Sequence, residues 1–229
     1  MMLTPEETQA LRLSLEVAAR SVLLTLPFAI AVAWLLTRRR FHGRFLLDAL
    51  VHLPLVLPPV VVGYFLLLLL GARGPVGAWL DDAFGIRLVF TRQGAAIATA
   101  VMSFPLVVRA IRLSLENVDR GLEDAARTLG ASGWDRFATI TLPLMLPGIV
   151  AGAIVAFAAS LGEFGAVITF VSNVPGETQT LPLALYTALQ TPGGDAAAAR
   201  LAMLSVGLGL AGLLLAEWLA RAVRARLGR

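Results

Sequence analysis

Five long apolar stretches constrain the fold of this chain more than any other feature of its sequence. They lie near residues 12–37, 45–70, 93–113, 145–171 and 200–221. Each can form the helix of about 20 residues that crosses a hydrocarbon core roughly 30 Å thick. In addition, 58% of the residues are apolar and 15% are charged, whereas about 25% are charged in a typical soluble domain. The sequence therefore predicts an all-α integral membrane protein with about five transmembrane helices.

The same pattern predicts a single domain over residues 1–229, with a core from about 11 to 221. Residues 181–190 are apolar but too few to span a bilayer, which favours a re-entrant or interfacial segment. The N-terminus lacks the features of a cleaved signal peptide, because Glu6 and Glu7 occupy the place of its basic region. We expect the first apolar stretch to be retained.

The residue inventory excludes several kinds of chemistry. The chain contains no cysteine, and all 19 of its Lys and Arg residues are arginine. Thiol nucleophiles, Schiff-base lysines and the nucleotide-binding P-loop each require a residue that the chain lacks. A three-histidine metal site is excluded as well, since His42 and His52 are the only histidines. We therefore expect no catalytic residue, metal or cofactor in this chain.

The arginines are distributed unequally between the predicted connections. The first and third connections and the C-terminal tail contain most of them: Arg38, Arg39, Arg40, Arg44, Arg109, Arg112, Arg120, Arg127, Arg136, Arg221, Arg224, Arg226 and Arg229. The second connection holds only Arg73, Arg87 and Arg92. Because arginines in short connections stay in the cytoplasm, the N-terminus is predicted outside and the C-terminus inside the cell. This distribution explains the pI of about 10.8 without a nucleic-acid partner.

Two predicted spans contain residues that a passive membrane anchor does not need. In the first span, Glu16 and Arg20 are one helical turn apart and are predicted to form an ion pair. In the second, Pro54, Pro58 and Pro59 interrupt an apolar helix, and each internal proline removes a backbone hydrogen bond. Broken backbone is tolerated in a membrane where it packs within protein or lines a cavity. The second span is predicted to face a pathway, the alternative being a kinked packing helix.

The third connection is more strongly patterned than a linker. Apolar residues repeat there at helical spacing and a glycine follows them as a stop signal. These residues are Leu122, Ala125, Ala126, Leu129 and Gly130. Ser132 is placed to cap a second short helix through Trp134 and Phe137, which ends before Pro143 opens the next span. The two helices form a rigid projection on the cytoplasmic side, onto which a partner is expected to dock.

Within this connection, the string D-A-A-R-T-L-G, nine further residues and I-T-L-P resemble the coupling motif of ATP-binding-cassette importer permeases. That motif reads E-A-A, three residues, G, nine residues, I, one residue, L-P, and every spacing fits. The matching positions are Asp124, Ala125, Ala126, Gly130, Ile140, Leu142 and Pro143. Asp124 stands where the family has glutamate and Glu123 precedes it, so either carboxylate can fill that role. The resemblance implies that residues 117–142, the coupling loop, dock onto a cytoplasmic ATPase.

Further segments resemble the molybdate importer permeases of this family, and the similarity runs along essentially the whole chain. They are HLPLVLPPVVVGY (52–64), AVMSFPLVVRAIRLSLE (100–116), SLGEFGAVITFVSNVPGET (160–178) and LYTALQTPGG (185–194). The resemblance implies a type I importer permease fold, a homodimer in the inner membrane, and molybdate import by alternating access. Its implied partners are membrane lipid, an ATPase dimer that binds ATP and a periplasmic molybdate-binding protein. Sulfate and thiosulfate permeases are also similar, so these anions and tungstate are the alternative substrates.

Glu163 is the one carboxylate predicted to lie deep inside a span. A charge there costs about 2.5–3.5 kcal/mol unless it is paired or hydrated, which marks the position as functional. We expect Glu163 to close an outer gate or helix contact through an arginine, with Arg20 as a candidate, rather than to bind an oxyanion. A structural ion pair is the alternative. The residues assigned to the pathway or its gate are Pro54, Pro58, Pro59, Ser103, Gly162, Glu163, Phe164 and Gly165.

Two other functions fit parts of the sequence. The string GASG at 130–133 is similar to a serine-nucleophile motif, which suggests an intramembrane serine protease using Ser132. Its histidine base would have to be His42 or His52, and Ser132 lies in a predicted cytoplasmic connection. A membrane scaffold without a transport function would not require prolines and a glutamate at membrane depth.

Overall fold

The computed structural model describes residues 3–226, and every regular element in that range is a helix. In chain order the helices are α1 Pro5–Arg38, α2 Arg44–Val56, α3 Pro59–Leu70, α4 Pro75–Phe84, α5 Arg92–Glu116, α6 Arg120–Thr128, α7 Gly133–Arg136, α8 Leu142–Gly162, α9 Gly165–Val171, α10 Leu181–Gln190 and α11 Asp195–Arg226. A π-helical turn, Phe137–Thr141, joins α7 to α8. Arg229, and the side chains of Arg120, Arg224 and Arg226, lie outside what the structure describes.

Threonine caps begin two of the long helices. At the start of α1, the Thr4 hydroxyl accepts the Glu7 N–H (3.2 Å) and the Glu7 carboxylate accepts the Thr4 N–H (2.9 Å). This capping box satisfies two backbone donors that the helix itself leaves unpaired. At the start of α5, the Thr91 hydroxyl accepts the Gly94 N–H at 3.1 Å. Glu7, interpreted above as evidence against a signal peptide, is thus also a helix-capping residue.

Helices α1, α5 and α8 form the centre of the molecule. The close approach of α5 and α8 depends on small residues, because a Cβ added at Gly148 would lie 2.4 Å from the Ser114 Cβ. Between helices in lipid, small residues permit this packing and hydroxyls add hydrogen bonds. The Ser160 hydroxyl donates to the Ser21 hydroxyl at 3.0 Å, joining α8 to α1. Apolar side chains that share this core are Leu36, Val107, Ile111, Leu115 and Met145.

The structure confirms most of the predicted spans. Helices α1, α5 and α11 contain the first, third and fifth apolar stretches. Among the described residues, four helices are long and apolar enough to cross a membrane, and a bent pair raises the number to five. The Glu16–Arg20 ion pair is also confirmed, with 2.7 Å between the Arg20 Nη2 and Glu16 Oε1 atoms.

The prediction of one continuous span over 145–171 is wrong. The helix begins earlier, since α7, the π-helical turn and α8 form one unit over Gly133–Gly162. It ends at Gly162, and the separate helix α9 begins at Gly165. The cause is local: the Glu163 Oε1 atom accepts the Ala166 N–H at 2.9 Å and so caps a new helix. Hydropathy does not report this break because apolar residues continue on both sides of it.

The second predicted span is broken, as its prolines suggested. Helices α2 and α3 meet at an angle of 117°. Pro58 and Pro59 cause the break, because Pro58 is held in an extended conformation (φ −55°, ψ 136°) before the ring of Pro59. Pro54, in contrast, lies inside α2 without ending it. The angle is that of a break rather than of a kink, and the prediction that this segment faces a pathway stays a prediction.

The remaining helices lie around this core. Helix α10 has ten residues, which confirms that 181–190 is too short to span a bilayer. It packs against α1 and α11 through Ala10, Leu181 and Leu201. The Arg200 Nε atom lies 2.8 Å from the Glu7 Oε1 atom, so an ion pair joins the second turn of α11 to the first turn of α1. Helix α4, in the second connection, had no counterpart among the predicted elements.

Candidate functional site

The coupling loop folds into the two short helices that its sequence predicts. The Asp119 carboxylate caps α6 by accepting the Gly121 N–H at 2.8 Å. Helix α6 ends at Thr128, and Gly130 follows with φ +88°, a conformation that favours glycine. Ser132 caps α7 in a capping box with Asp135.

One prediction for the coupling loop is wrong: its second helix does not end before Pro143. Instead, α7 continues through the π-helical turn into α8, and the Leu142 N–H donates to the Phe137 carbonyl five residues earlier. Pro143, which has no N–H, is accommodated in the first turn of α8. The 30 residues of Gly133–Gly162 thus form a single rod, which at 1.5 Å per residue is about 45 Å long.

The outer surface of the coupling loop is apolar and has no partner within the described residues. Leu129 is 88% exposed and Trp134 is 73% exposed. Leu122 and Ala125, on α6, are exposed as well. Burial of large apolar side chains stabilises a contact in proportion to the area removed from water. This surface is therefore suited to a protein partner.

The adjacent carboxylates Glu123 and Asp124 have different contacts. The Glu123 Oε1 atom accepts the Thr141 hydroxyl at 2.7 Å and lies 3.2 Å from the Arg38 Nη2 atom. Asp124 is largely exposed and faces Arg127 at 3.5 Å. Glu123 therefore ties α6 to both α1 and the π-helical turn, whereas Asp124 faces solvent. Arg38, interpreted from the sequence only as a topology signal, is the missed member of this contact.

The other motif positions surround this contact. Ala126 is half-buried on α6, and Ile140 lies in the π-helical turn. Leu142 and Pro143, at the start of α8, are half-buried too. The ring of Phe137 packs edge-on against Trp34 of α1 with 6.3 Å between ring centroids. The spacing of the motif thus brings Ala126, Leu142 and Pro143 to the junction between the loop, α1 and α8, and leaves Asp124 and Ala125 exposed.

The two helix breaks lie against each other, although they are about 100 residues apart in sequence. A Cβ added at Gly165 would lie 2.8 Å from the Pro59 Cβ, and one added at Gly63 would lie 2.6 Å from the Ala166 carbonyl oxygen. We call this contact the helix-break site; it comprises Pro58, Pro59 and Gly162–Gly165. Phe164 extends it toward α10 by packing on Tyr186, with ring centroids 5.2 Å apart.

Not every predicted pathway residue belongs to the helix-break site. Pro54 lies elsewhere, in an apolar groove with Leu24 and Phe104. Ser103 is fully buried in α5, and its hydroxyl donates to the Ala100 carbonyl of the same helix at 3.3 Å. The hydroxyl of Thr169 likewise donates within its own helix.

The expected ion pair between Glu163 and Arg20 is not formed. Arg20 pairs with Glu16 on its own helix, as described above. In the described part of the chain, the partner of the Glu163 carboxylate is the N-terminal turn of α9. This cap accounts for a carboxylate at membrane depth, because it supplies hydrogen bonds and the positive end of a helix dipole. Arg20 is therefore not the partner of Glu163 within the described residues, and a gate contact through another arginine stays a prediction.

Arg92 organises a polar cluster that the sequence analysis missed. Its Nη2 atom donates to the Gly176 carbonyl at 2.8 Å, and its Nη1 atom lies 3.5 Å from the Glu16 Oε2 atom. Glu177 lies 3.6 Å from its Nε atom. The cluster joins α1 and α5 to the loop that precedes α10.

These features can be compared with known proteins. Residues 25–225 match the family described as binding-protein-dependent transport system inner membrane component. The chain belongs to this family. As a binding-protein-dependent transport component it is a multi-pass inner membrane protein.

Ser132, which prompted the protease alternative, serves as the cap of α7: its hydroxyl accepts the Asp135 N–H at 3.2 Å.

Among relatives of this transport component, the molybdenum transport system permease protein ModB of Escherichia coli K12 is 61% identical over 229 residues, 100% of both chains. The sulfate transport system permease protein CysT of the same organism is 40% identical over 186 residues, 81% of this chain and 67% of CysT. Both relatives are permease proteins of transport systems rather than enzymes.

A solved structure with the same fold is a bacterial ABC transporter involved in the import of the acidic polysaccharide alginate. It aligns with a TM-score of 0.76 at 19% identity, over 96% of this chain and 80% of that one. A bacterial alginate ABC transporter is also known in complex with a periplasmic protein that holds an alginate pentasaccharide. The likeness confirms the predicted all-α, type I importer permease fold.

Proposed function

We propose that this chain is the transmembrane permease subunit of an ATP-driven importer that carries molybdate across the inner membrane. The observation that carries the proposal is its 61% identity to ModB along the full length of both chains. The lower identity to CysT, over a smaller share of the chain, favours molybdate over sulfate. The chain acts as a single permease domain and binds no cofactor of its own.

Energy for transport comes from a separate subunit in this proposal. The chain has no lysine and so lacks the P-loop residue that contacts nucleotide phosphates. Two copies of the chain form the pathway, and an ATPase dimer docks on their coupling loops. The exposed apolar side chains of Leu122, Leu129 and Trp134 support this docking. ATP is bound by the partner.

The orientation proposed for the chain follows from its arginines. The coupling loop and the arginine-rich connection after α1 lie in the cytoplasm, with the N-terminus outside. The polar cluster of Arg92, Glu16 and Gly176 then lies on the outer side, together with the Glu7–Arg200 ion pair. A periplasmic binding protein that delivers the oxyanion reaches this outer side.

The rod over Gly133–Gly162 connects the two functional regions mechanically. Its inner end carries α7 of the coupling loop, and its outer end stops at the helix-break site. Movement of the docked ATPase displaces the rod as a unit, since interior packing transmits displacement with little compression. Alternating access follows when this displacement separates or closes the two helix breaks.

The helix-break site is proposed as the gate rather than as a tight binding site. The carboxylate of Glu163 repels a dianion, and its hydrogen bond to Ala166 holds it at the end of α9. Gly165 provides the small surface that packs against Pro59, Phe164 adds an aromatic surface beside it, and Gly162 marks the end of α8. An oxyanion crosses past backbone and hydroxyl donors, so selectivity resides mainly in the binding protein. Ser103 and Pro54 support the pathway through helix packing.

Uptake of radiolabelled molybdate tests the proposed function. The chain is expressed with its ATPase and binding-protein partners in cells that lack their own molybdate uptake. We expect molybdate to accumulate only when all the subunits are present, and an excess of unlabelled sulfate to compete weakly. Sulfate or thiosulfate competition equal to that of unlabelled molybdate would identify the chain as a sulfate-type permease, and competition by tungstate alone would identify tungstate as the second substrate.

A further inference from the structure

A cavity of about 910 Å³ lies between the second half of α1 and the coupling loop. Its charged lining consists of four arginines and two carboxylates: Arg38, Arg39, Arg127, Arg136, Glu123 and Asp124. Four positive charges against two negative ones leave this lining with a net positive charge. Because Glu123 is already in contact with Arg38 and Asp124 with Arg127, Arg39 and Arg136 are the arginines without a carboxylate partner in the lining.

Arg38 adds a nearly buried positive charge to the cavity lining. Its side chain is 8% exposed, and its Nε atom is buried without a hydrogen-bond partner. The Nη2 atom of the same guanidinium is used by Glu123 and by the Val118 carbonyl. Buried polar groups in proteins are almost always hydrogen-bonded, and an unpaired one on a charged group is especially unfavourable. Since this Nε atom has no exposed surface, Arg39 and Arg136 are the arginines available to an anionic ligand in the cavity.

The other wall of the cavity is apolar and runs along α1. Pro27, Ile30, Ala31 and Trp34 line it and share one face of the helix. Pro27 lies eleven residues before Arg38, or about 16 Å along the helix axis, which is roughly half of a 30 Å hydrocarbon core. Arg39 lies over the Trp34 ring at 5.4 Å from its centroid, at the boundary between the two walls. The cavity thus has the length of one lipid leaflet.

We propose that this cavity binds one anionic phospholipid of the inner leaflet. Its phosphate lies between Arg39 and Arg136, beside the charge of Arg38, because guanidinium groups match phosphate oxygens in charge and geometry. One acyl chain lies along Pro27, Ile30 and Ala31. Basic pockets beside membrane helices on the cytoplasmic side are suited to such headgroups.

A lipid fits the cavity better than a protein partner does. The apolar wall reaches the depth of the bilayer centre, where acyl chains are the surrounding material and a soluble subunit does not reach. Two of the large exposed side chains of the coupling loop that suit a protein partner, Leu122 and Leu129, are not part of the cavity lining, whereas the third, Trp134, belongs to both surfaces. A bound lipid would link α1 to the loop and so stabilise the junction formed by Arg38 and Glu123.

Lipid retention measured by native mass spectrometry tests this proposal. The full-length chain is purified, depleted of lipid and offered phosphatidylglycerol or phosphatidylcholine. The variant Arg39→Gln/Arg136→Gln removes two cavity charges, and the matched control Arg40→Gln/Arg44→Gln removes two arginines that do not line the cavity. We expect the wild type and the control to retain phosphatidylglycerol in preference to phosphatidylcholine. The cavity variant should lose that retention by roughly tenfold.

Several results would overturn the proposal. An equal loss in both variants would indicate unspecific attraction to the arginine-rich surface. Inorganic phosphate that raises the thermal unfolding temperature as much as phosphatidylglycerol would identify a free anion rather than a lipid. Unchanged lipid retention with loss of ATPase binding or of the dimer in the cavity variant would assign the cavity to a protein partner. The measurement needs neither ATP nor molybdate, so it fails or succeeds independently of the transport function.

Discussion

Glu123 and Asp124 differ in their surroundings more than in their chemistry. The sequence motif admits either carboxylate at the first position, and the spacing alone does not distinguish them. In the structure, Glu123 contacts Arg38 and Thr141, whereas Asp124 contacts only the exposed Arg127. The difference arises because α1 passes beside one face of α6, a tertiary relationship between residues far apart in sequence. The sequence therefore predicts a carboxylate at this position of the motif, but not which of Glu123 and Asp124 contacts Arg38.

The substitution Glu123→Ala should lower the free energy of unfolding by about 2 kcal/mol, because it leaves the nearly buried Arg38 without its carboxylate. Asp124→Ala should change it by less than about 0.5 kcal/mol, since that ion pair is exposed to solvent. Thermal or chemical unfolding of the purified variants measures both values. Equal losses in the two variants would show that the Arg38–Glu123 contact does not hold the loop.

The role of Glu163 in the structure is to cap α9 through a hydrogen bond, and this role needs an acceptor oxygen rather than a negative charge. Glu163→Gln keeps an oxygen that can accept the Ala166 N–H, so stability and molybdate uptake should remain close to wild type. Glu163→Leu removes the acceptor and should cost about 1 kcal/mol, as the loss of a helix cap does. Unfolding and uptake assays on both variants check this expectation. A Gln variant as impaired as the Leu variant would restore a role for the negative charge.

Among the helices, apolar length was enough to predict three spans, and proline was enough to predict the break between α2 and α3. The break between α8 and α9 could not be predicted in the same way, because the apolar stretch continues across Gly162 and Glu163. It depends on a cap formed within the fold and on the packing of Gly165 against Pro59. The helix-break site thus combines the α2–α3 break, which the prolines predict, with the α8–α9 break, which the sequence does not indicate.

Because α5 packs closely on α8 at Gly148, we predict that a larger residue at this position lowers the free energy of unfolding. Gly148→Ala places a Cβ 2.4 Å from the Ser114 Cβ and 2.8 Å from the Ala110 carbonyl oxygen, and such overpacking costs about 1–3 kcal/mol. The matched control is Gly207→Ala, where nothing lies within 4 Å and the better helix propensity of alanine should add about 0.5–1 kcal/mol. Thermal unfolding of both variants measures the difference. A neutral Gly148→Ala would contradict the packing of these helices.

At the scale of the whole molecule, the coupling loop and the helix-break site are joined by one helix. In the sequence they are separate features, because the loop is predicted to end before Pro143 and the gate to lie inside a later span. The π-helical turn removes that separation, since it lets the chain pass Pro143 without leaving the helix. A motion applied at α7 is therefore transmitted to Gly162 without passing through a flexible connection. This continuity is the structural basis of the coupling that we propose.

ATP-dependent molybdate uptake into proteoliposomes tests the central claim most directly. The vesicles contain the purified chain with its ATPase, and the binding protein is added outside. Three chains are compared: the wild type, Ala125→Trp on the exposed face of α6, and Ala72→Trp on the exposed connection between α3 and α4, outside the coupling loop.

We predict that the wild type and Ala72→Trp accumulate molybdate and stimulate ATP hydrolysis. Ala125→Trp should fold normally but lose both activities by roughly tenfold or more, because a bulky side chain at the centre of a docking surface prevents close contact. Full uptake and full ATPase stimulation by Ala125→Trp, or molybdate uptake by the wild type without ATP, would contradict the account.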